Sequence, residues 1–337
     1  MLNVKIVILN WNGQPMMSRF LGSVVDSAPK GVSVIVADNG STDNSVEWLE
    51  QHYAGRVEIV RLDRNYGFAE GYNRALAALQ ADYFILLNSD VECPRGWCEP
   101  LIDYLEQNPS VAAVGPKILS ATQRDYFEYA GAAGGFIDRY GYPFCRGRIL
   151  STVERDRGQY DNQREVFWVS GACMAVRAEA FRAAGGFDGD FFAHMEEIDL
   201  CWRLQLQGWR IVVCPSSWVY HLGGGTLPAS SPQKAYYNFR NSLFMLHKEL
   251  SDKRFGRIIR TRMALDRLSA MVYRLSGRPE FAESVRRAHR DYRAAIAQLD
   301  IKRQAIRTSA KKEPETIFRG SILLRYVVRR RFGSLKI

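Results

Sequence analysis

Short apolar runs alternate with amphipathic stretches over the first 120 residues of the chain. Four of the runs have strand length and are apolar almost throughout, which is typical of strands buried on both faces of a parallel sheet. They cover residues 4–9, 32–37, 57–62 and 83–87. The helical stretches between them cover residues 15–26, 43–53 and 68–80. This alternation predicts a doubly wound, mostly parallel α/β sheet.

The pattern continues more loosely as far as residue 250. It predicts strands at 111–119, 166–176, 210–213 and 218–220, and helices at 97–107, from 178, and from 236 to about 250. Residues 120–165 are rich in Gly, Tyr, Arg and Asp and show little periodicity. Long loops in compact domains are often functional lids, so we expect a loop region with short hairpins here.

The chain beyond residue 250 differs in both pattern and charge. Residues 253–337 contain 23 Lys and Arg against 7 Asp and Glu, whereas the whole chain contains 46 against 36. Apolar residues recur at heptad-like spacing among these basic residues. We therefore predict two domains, an α/β domain at 1–250 and a basic, amphipathic helical extension at 251–337. One apolar face of the extension should pack on the α/β domain or on another subunit.

The basic extension also limits the choice of partners. Such charge suits nucleic acid, anionic lipid head groups or phosphate-rich carriers. No nucleic-acid recognition module is visible, which disfavours nucleic acid. Basic charge beside apolar stripes instead suggests binding to an anionic membrane surface, including a last apolar patch at 322–328 before Arg329, Arg330 and Arg331.

Several other classes of protein are disfavoured. No apolar run reaches the roughly 20 residues that span a bilayer, and the N-terminus lacks the features of a signal peptide, so we expect a cytoplasmic protein. The six cysteines have no metal-binding spacing and should be reduced, buried thiols. The chain has neither a P-loop nor the glycine fingerprint of a dinucleotide-binding site.

Polar clusters follow three of the predicted strands. They are Asn-Trp-Asn-Gly at 10–13, Asp-Asn-Gly-Ser-Thr-Asp at 38–43 and Asn-Ser-Asp at 88–90. In open α/β sheets ligands bind outside the carboxyl ends of the strands, where Asp90 could hold a hard cation against nucleotide phosphates. The alternative is that Asn88 and Asp90 only form an Asx turn.

A glycine-containing segment at 65–73 begins the third predicted helix. Gly67 and Gly71 would allow a ligand to approach the backbone closely, and the N–H groups at a helix start can bind an anion. An ordinary turn that contains glycine is the alternative.

A second stretch with candidate chemistry covers residues 191–204. Glu196 and Glu197 fall in the first turn of a predicted helix, and Asp199 and Arg203 have the spacing of an ion pair. One glutamate could be a general base facing a pocket, although the helix dipole alone would favour acids there.

Two more residues could bind phosphate or metal. His221 ends a predicted strand and is followed by glycines at 223–225, which suits a metal or phosphate role, although a lone histidine is more often structural. Arg240 is either a phosphate ligand or a surface cation.

Taken together, these motifs resemble the family 2 glycosyltransferases, in particular the bacterial rhamnosyltransferase-like branch. The resemblance covers about residues 3–250 and rests on the segments at 7–13, 38–43, 65–73, 87–90 and 195–203, in that order. It implies a GT-A fold, with a Rossmann-like nucleotide-binding half and an acceptor-binding half. It also implies inverting transfer of a sugar from a dTDP- or UDP-sugar to a glycan or polyprenyl-linked acceptor at the inner face of the cytoplasmic membrane.

The resemblance also implies roles for particular residues. Glu197 would be the base, with Glu196 as a less favoured substitute, and Asp90 and His221 would bind Mg or Mn. The nucleotide would contact Asn10, Asn12, Asp38, Asn39, Asn65, Gly67, Asn88 and Ser89. The sugars would lie near Trp168, Gly171 and Asp199, and Arg240 would bind phosphate.

The chain departs from the family pattern in two places. Asn88 replaces the first Asp of the usual Asp-x-Asp, and Glu197 stands where many relatives have Asp. Two other functions are considered, a sugar-1-phosphate nucleotidyltransferase and a non-catalytic glycan-binding relative. The first should carry a basic, glycine-rich loop after its first strand, where this chain has only residues 10–13.

Overall fold

The computed structural model describes residues 2–128, 131–150, 152–223 and 230–329, with side chains as far as residue 326. Its strands are β1 (Val4–Asn10), β2 (Val32–Asp38), β3 (Glu58–Arg61), β4 (Tyr83–Asn88), β5 (Val91–Glu92), β6 (Val111–Ser120), β7 (Gly135–Ile137), β8 (Pro143–Cys145), β9 (Arg148–Ile149), β10 (Thr152–Val153), β11 (Arg164–Glu165), β12 (Cys173–Arg177) and β13 (Arg210–His221). Its helices are α1 (Gln14–Ser27), α2 (Ser45–His52), α3 (Gly67–Ala77), α4 (Glu99–Gln107), α5 (Ala178–Ala183), α6 (Glu196–Leu206), α7 (Pro232–Glu249), α8 (Asp252–Leu275), α9 (Pro279–Ala294), α10 (Ile296–Ser309) and α11 (Ile322–Arg329).

The main sheet has the strand order β11-β13-β6-β12-β4-β1-β2-β3, and β5 pairs with β13. Strands β1 to β4 are parallel where they pair, as the apolar runs predict. β12 is antiparallel to both β4 and β6. The parallel part of the sheet therefore meets an antiparallel strand beside β4. Because β1, β2 and β4 are parallel, their carboxyl ends lie together at one edge of the sheet, where ligands bind in folds of this kind.

The long loop region predicted at 120–165 contains a small sheet of the order β10-β9-β8-β7, in agreement with the expected hairpins. The strand predicted at 166–176 is wrong for most of its length, because only Cys173–Arg177 is a strand. The chain turns at Ser170 and Gly171, where the Cys173 N–H donates to the Ser170 carbonyl at 3.2 Å. Residues 166–169 are buried and form only an isolated antiparallel bridge, between Trp168 and Gly135, so burial explains the apolar sequence before that turn.

Two other element boundaries differ from the predictions. Residues 210–221 form one strand instead of two, since a register shift between Val213 and Trp218 absorbs the polar interruption. Helix α7 begins at Pro232, because the Ser231 hydroxyl accepts the Lys234 N–H and proline suits the first helical position.

The C-terminal helices share the core of the α/β domain. Ile258 of α8, Tyr292 of α9 and Leu299 of α10 belong to the same buried cluster as β12 and α6. His247 of α7 contacts the Tyr292 hydroxyl at 2.9 Å. One face of the extension thus packs on the α/β domain, as predicted. No helix among the residues with described positions is long and apolar enough to cross a membrane.

Candidate active site

Polar side chains join the carboxyl ends of β1 and β2. The Asn10 amide donates to the Asp38 carboxylate at 3.1 Å and to the Ser41 hydroxyl at 3.2 Å. The Asn12 side-chain carbonyl accepts the Thr42 N–H at 2.7 Å. Asn10 Oδ1 is buried and has no hydrogen-bond partner in the described part of the chain, so this edge of the sheet retains an unused acceptor.

The end of β4 meets the same turn. A Cβ atom on Gly13 would lie 2.3 Å from Asn10 Oδ1 and 3.8 Å from Ser89 Oγ, so Asn10 and Ser89 approach the glycine from two strands. Asn39 lies on the other side of β2, where its amide donates to Asn65 Oδ1 at 3.1 Å and to the Gly67 carbonyl at 3.0 Å. The structure therefore brings the sequence-predicted nucleotide residues together at one edge of the sheet.

The start of α3 is not open to an anion. The carbonyl of Phe192 accepts the N–H groups of Phe68 at 2.6 Å and of Ala69 at 3.4 Å. Gly67 has a φ of +77°, and a Cβ there would lie 2.5 Å from the Phe192 ring. This corrects the expectation of a ligand at this helix start, because a protein carbonyl fills it and Gly67 admits Phe192.

His221 lies between two carboxylates. Its Nε2 is 3.1 Å from Asp90 Oδ1, its Nδ1 is 3.2 Å from Glu128 Oε2, and Asn88 Nδ2 is 3.4 Å from Nε2. Burial lowers the pKa of His221, but its hydrogen bonds to Asp90 and Glu128 outweigh burial and raise that pKa to about 10. The surroundings of His221 therefore stabilise its protonated form when no metal is bound, and a metal ion at Nε2 would require the release of that proton.

The donor set at this point fits a divalent ion that is completed by a ligand. Among the residues with described positions, no three metal-ligating side chains are grouped to hold an ion unaided. Mg²⁺ is typically bound by one or two protein groups together with waters and substrate phosphates. Asp90 and His221 would be those protein groups, and Glu128 would orient the imidazole from its other nitrogen. Gly224 and Gly225 lie outside the described residues.

Helix α6 presents two glutamates with different exposure. Glu196 is buried, whereas Glu197 is partly accessible, and neither Oε2 atom has a hydrogen-bond partner in the described ranges. Burial, with a smaller effect of the Glu197 charge, raises the pKa of Glu196 well above its usual range. Burial raises the pKa of Glu197 to about 7. Burial therefore favours the protonated form of Glu196, and Glu197 can exchange a proton near pH 7.

The segment at 188–195, called the α6 loop here, leads into these glutamates through an unusual backbone. Phe192, His194 and Met195 have φ values of 59°, 69° and 75°, in the left-handed region that side chains disfavour. The Asn241 amide nitrogen lies within hydrogen-bond distance of three loop carbonyls, those of Phe191 at 3.0 Å, Ala193 at 2.9 Å and His194 at 2.7 Å. Asn241 on α7 thus holds the strained loop in place.

Arg240 also belongs to this support. Its guanidinium donates to the carbonyls of Asp190 at 2.7 Å and Phe191 at 3.2 Å and to Asn241 Oδ1 at 2.9 Å. The structure corrects the predicted phosphate role, since these contacts direct Arg240 towards the α6 loop.

A buried ionic cluster lies beneath the α6 loop. Asp199 pairs with Arg203 at 2.8 Å and with Lys248 at 2.5 Å, and Asp188 pairs with both Lys248 and Lys302. Burial raises the pKa of Asp188, but the two lysines outweigh it and hold that pKa well below the usual range. The predicted Asp199–Arg203 pair is present, and it leaves Asp199 fully buried and unable to contact a sugar.

The other two residues predicted to lie near the sugars, Trp168 and Gly171, have different surroundings. Trp168 is only 4% exposed, and its indole N–H donates to the Phe136 carbonyl at 3.0 Å, so it is a core residue and not an open stacking surface. Gly171 lies beside the base, because a Cβ there would be 3.8 Å from Glu197 Cβ. Gly171 therefore keeps space open next to Glu197.

Sequence reasoning missed three residues of the site. Glu128 and Arg148 come from the loop region whose sequence shows no periodic pattern, and Lys234 comes from the first turn of α7. Glu128 contacts His221, and the charges of Glu128 and Arg148 influence the pKa of Lys234, which burial lowers. Only the excess of charged residues in 120–165 indicated that this region could contribute.

Comparison with known proteins places the chain in a family. The model of "Glycosyl transferase family 2" matches residues 5–185, more than half of the chain, and the chain therefore belongs to that family. The N-acetylglucosaminyl-diphospho-decaprenol L-rhamnosyltransferase of Mycobacterium tuberculosis is 32% identical over 234 residues, which are 64% of this chain and 75% of that protein. The chain is thus a rhamnosyltransferase-like glycosyltransferase.

Solved structures confirm the predicted GT-A fold. Residues 1–349 of S. aureus TarS, in complex with UDP-GlcNAc, align with a TM-score of 0.57 at 15% identity, over 91% of this chain and 88% of that one. GalNAc-T7 with UDP, GalNAc and Mn²⁺ aligns with a TM-score of 0.56 at 18% identity, over 74% of this chain and about half (48%) of that one. At these identities the likeness concerns the fold alone.

Proposed function

We propose that this glycosyltransferase inverts the anomeric centre as it transfers a sugar from a dTDP- or UDP-sugar to a hydroxyl of a polyprenyl-linked glycan. The observation that carries the proposal is the presence of two kinds of group in one molecule. Glu197 on α6 is partly accessible and has a pKa near 7. The Asp90–His221 pair lies at the carboxyl edge of the sheet. A base for the acceptor and a site for the leaving diphosphate are the two requirements of direct displacement.

The reaction uses one displacement. The acceptor oxygen forms a bond to the anomeric carbon while the bond from that carbon to the diphosphate oxygen breaks, and the electron pair leaves with the nucleoside diphosphate. Glu197 takes the hydroxyl proton of the acceptor. A double displacement would need a second, nucleophilic carboxylate. The adjacent carboxyl, Glu196, is buried and favours its protonated form, which supports inversion.

Asp90 and His221 would hold a divalent ion, Mg²⁺ or Mn²⁺, which supplies positive charge to the diphosphate when it is bound. Glu128 orients His221 through Nδ1. Asn10, Asp38 and Asn12 form the polar edge that would receive the base and ribose. Arg148 and Lys234 add positive charge near Glu128.

The choice of donor and acceptor is supported by the Mycobacterium tuberculosis relative. The name of that enzyme specifies an L-rhamnosyl group and a decaprenol-linked acceptor. We propose the same classes of donor and acceptor for this chain. An acceptor that is anchored in lipid would require the enzyme to work at the surface of a membrane.

A thermal-shift panel of UDP, dTDP, GDP and CDP, each with and without Mn²⁺, tests the proposal. We expect one pyrimidine diphosphate to raise the melting temperature in a metal-dependent way, since a ligand at 100 times its Kd stabilises by about 2.7 kcal/mol. Asp90→Ala should lose the metal-dependent part, whereas Glu197→Gln should keep it. The absence of a shift with every nucleotide would contradict the proposal.

A further inference from the structure

A basic cavity lies at the start of α8, away from the residues assigned to sugar transfer. It has a volume of about 120 Å³ and is lined by Arg139, Tyr140, Arg254, Arg257, Ile258 and Thr261. A water molecule takes a share of roughly 30 Å³ in the liquid, so the cavity has the size of a phosphate group with its oxygens. Three guanidinium groups around such a space are suited to phosphate, which arginine binds with paired N–H groups.

The nearby carboxylates have partners of their own. Asp138 accepts the N–H groups of Tyr140 and Ile322, each at 2.9 Å. Asp252 pairs with Arg303, Asp266 with Arg262, and Glu313 with Arg307. Burial lowers the pKa of Arg254, and the positive charges of Arg139 and Arg257 lower it further while Glu313 opposes them. The cavity is therefore a site of mutual repulsion between cations, which a bound anion would relieve.

The other end of α8 carries an exposed apolar stripe. Leu268, Met271, Val272 and Leu275 are 51%, 53%, 51% and 79% exposed. Their spacing of three, four and seven residues places them on one side of the helix. Arg267, Arg274 and Arg278 border the stripe, and the sequence from 267 to 278 contains no acid. Exposed apolar side chains with a basic border are typical of helices that lie in a lipid interface.

The cavity and the stripe face the same way. Positions 254, 257, 261, 268, 272 and 275 follow one another at steps of three, four or seven residues, which keeps them on one side of a straight helix. The opposite side contains the buried Ile259, Arg262 and Asp266, which pack on the rest of the protein. One exposed side of a 24-residue helix thus carries phosphate-binding chemistry at its start and apolar side chains at its end.

We propose that this side of α8 docks on an anionic phospholipid bilayer, with a lipid phosphate in the cavity formed by Arg139, Arg254 and Arg257 and with the four apolar side chains among the acyl chains. This binding needs neither a sugar donor nor an acceptor. A second copy of the chain is a poorer occupant, because a two-fold contact through the stripe would bring the bordering arginines of both copies together.

Co-sedimentation of the full-length protein with vesicles tests the proposal. The vesicles are phosphatidylcholine alone or phosphatidylcholine with a minority of phosphatidylglycerol. We expect binding only to the second kind, weakened by salt. Arg254→Gln with Arg257→Gln should reduce that binding by about tenfold or more, since each basic residue near an anionic surface contributes about fivefold. Changing Leu268, Met271, Val272 and Leu275 to Ser should abolish it.

Matched controls separate the face of α8 from general effects. Arg286→Gln with Arg290→Gln removes two exposed charges from α9, and Ile296→Ser with Ile301→Ser removes two exposed apolar side chains from α10. Both controls should bind like the unaltered protein. Arg254→Lys with Arg257→Lys keeps the charge but not the paired N–H groups, and it should bind better than the double Gln variant. All variants change exposed or partly exposed positions, and unchanged melting temperatures will show that they fold.

Three results would overturn the proposal. The first is no preference for anionic vesicles, or a preference that survives both α8 variants. The second is binding of inorganic phosphate that needs Arg254 and Arg257 without any vesicle binding, which would assign the cavity to a free anion. The third is concentration-dependent dimerisation that is lost when the stripe is changed to serine, or binding of an acidic protein to the stripe. Nucleotide binding is scored separately, so failure of sugar transfer leaves the vesicle result intact.

Discussion

Glu196 and Glu197 are identical in type and adjacent in sequence, and only their surroundings separate them. Glu196 is buried and its pKa is raised well above the usual range, whereas Glu197 is partly exposed and lies beside Gly171. A helix start favours acids at both positions, so sequence alone could not assign the base. The structure adds the difference in burial on which the assignment depends.

This difference predicts unequal effects of two matched substitutions. Glu197→Gln should reduce kcat by about 100-fold or more, because loss of a general base costs about 10²–10⁴ in rate. Glu196→Gln should leave kcat within about threefold, because an amide of the same shape replaces a buried carboxyl that is not the base. Steady-state transfer assays check both, with nucleotide binding as the control. Equal losses in the two variants would contradict the assignment.

The pH dependence of transfer gives an independent check at the same residue. Since burial raises the pKa of Glu197 to about 7 and the base acts when it is ionised, kcat/KM should rise with pH and level off above that value. The measurement is kcat/KM from about pH 5.5 to 8.5, where an ordinary glutamate would already be ionised. A flat profile over this range would exclude Glu197 as the titrating base.

At the scale of elements, the α6 loop and α7 form one supporting unit. Three residues with positive φ precede α6, and Asn241 holds this stretch through the carbonyls of Phe191, Ala193 and His194. The first turn of α3 is held by the same loop through Phe192. The position of the base therefore depends on side chains that never approach the substrate.

Asn241→Ala tests this support. The substitution leaves buried loop carbonyls without a donor, which should cost about 1–3 kcal/mol of unfolding free energy. We also expect kcat to fall much more than KM rises, because the base loses its position while the nucleotide edge on β1 and β2 is unchanged. Asn238→Ala, nearly one turn earlier on α7, is the control. A loss of stability with normal kcat would limit Asn241 to a structural role.

Sequence patterns predicted the elements that depend on local alternation and missed those that depend on tertiary contacts. The strands at 32–38 and 83–88 were visible because both faces are buried and the runs are continuous. The run at 166–172 was apolar for the same reason of burial, yet it makes no strand because of the turn at Gly171. Glu128 could not be predicted at His221, because an irregular loop carries no periodic signal of its direction.

For the molecule as a whole, buried charges join the C-terminal helices to the α/β domain. Lys302 of α10 and Lys248 of α7 both pair with Asp188, which begins the α6 loop, and Lys248 also pairs with Asp199. The boundary near residue 250 that the sequence suggests therefore separates two patterns of sequence but not two independent cores.

Lys248→Met should destabilise the protein strongly. It leaves Asp188 and Asp199 with fewer cations in a buried place, and breaking a buried pair in this way costs about 3–5 kcal/mol. Arg56→Met removes one partner of the exposed Arg56–Asp26 pair and should cost less than about 1 kcal/mol. Urea denaturation of the two variants measures the difference. Similar small losses would mean that the buried cluster adds little to folding.

All six cysteines are buried as free thiols, and burial raises the pKa of Cys93, Cys98, Cys145, Cys173 and Cys201. Thiolates are the reactive form, so these side chains should resist alkylation while the protein stays folded. Thiol reagents would therefore label a cysteine introduced at an exposed position and leave the six native cysteines unmodified. A single cysteine introduced at Leu275 would carry one fluorophore at the end of α8, and its emission would register a change from water to hydrocarbon without altering any native thiol.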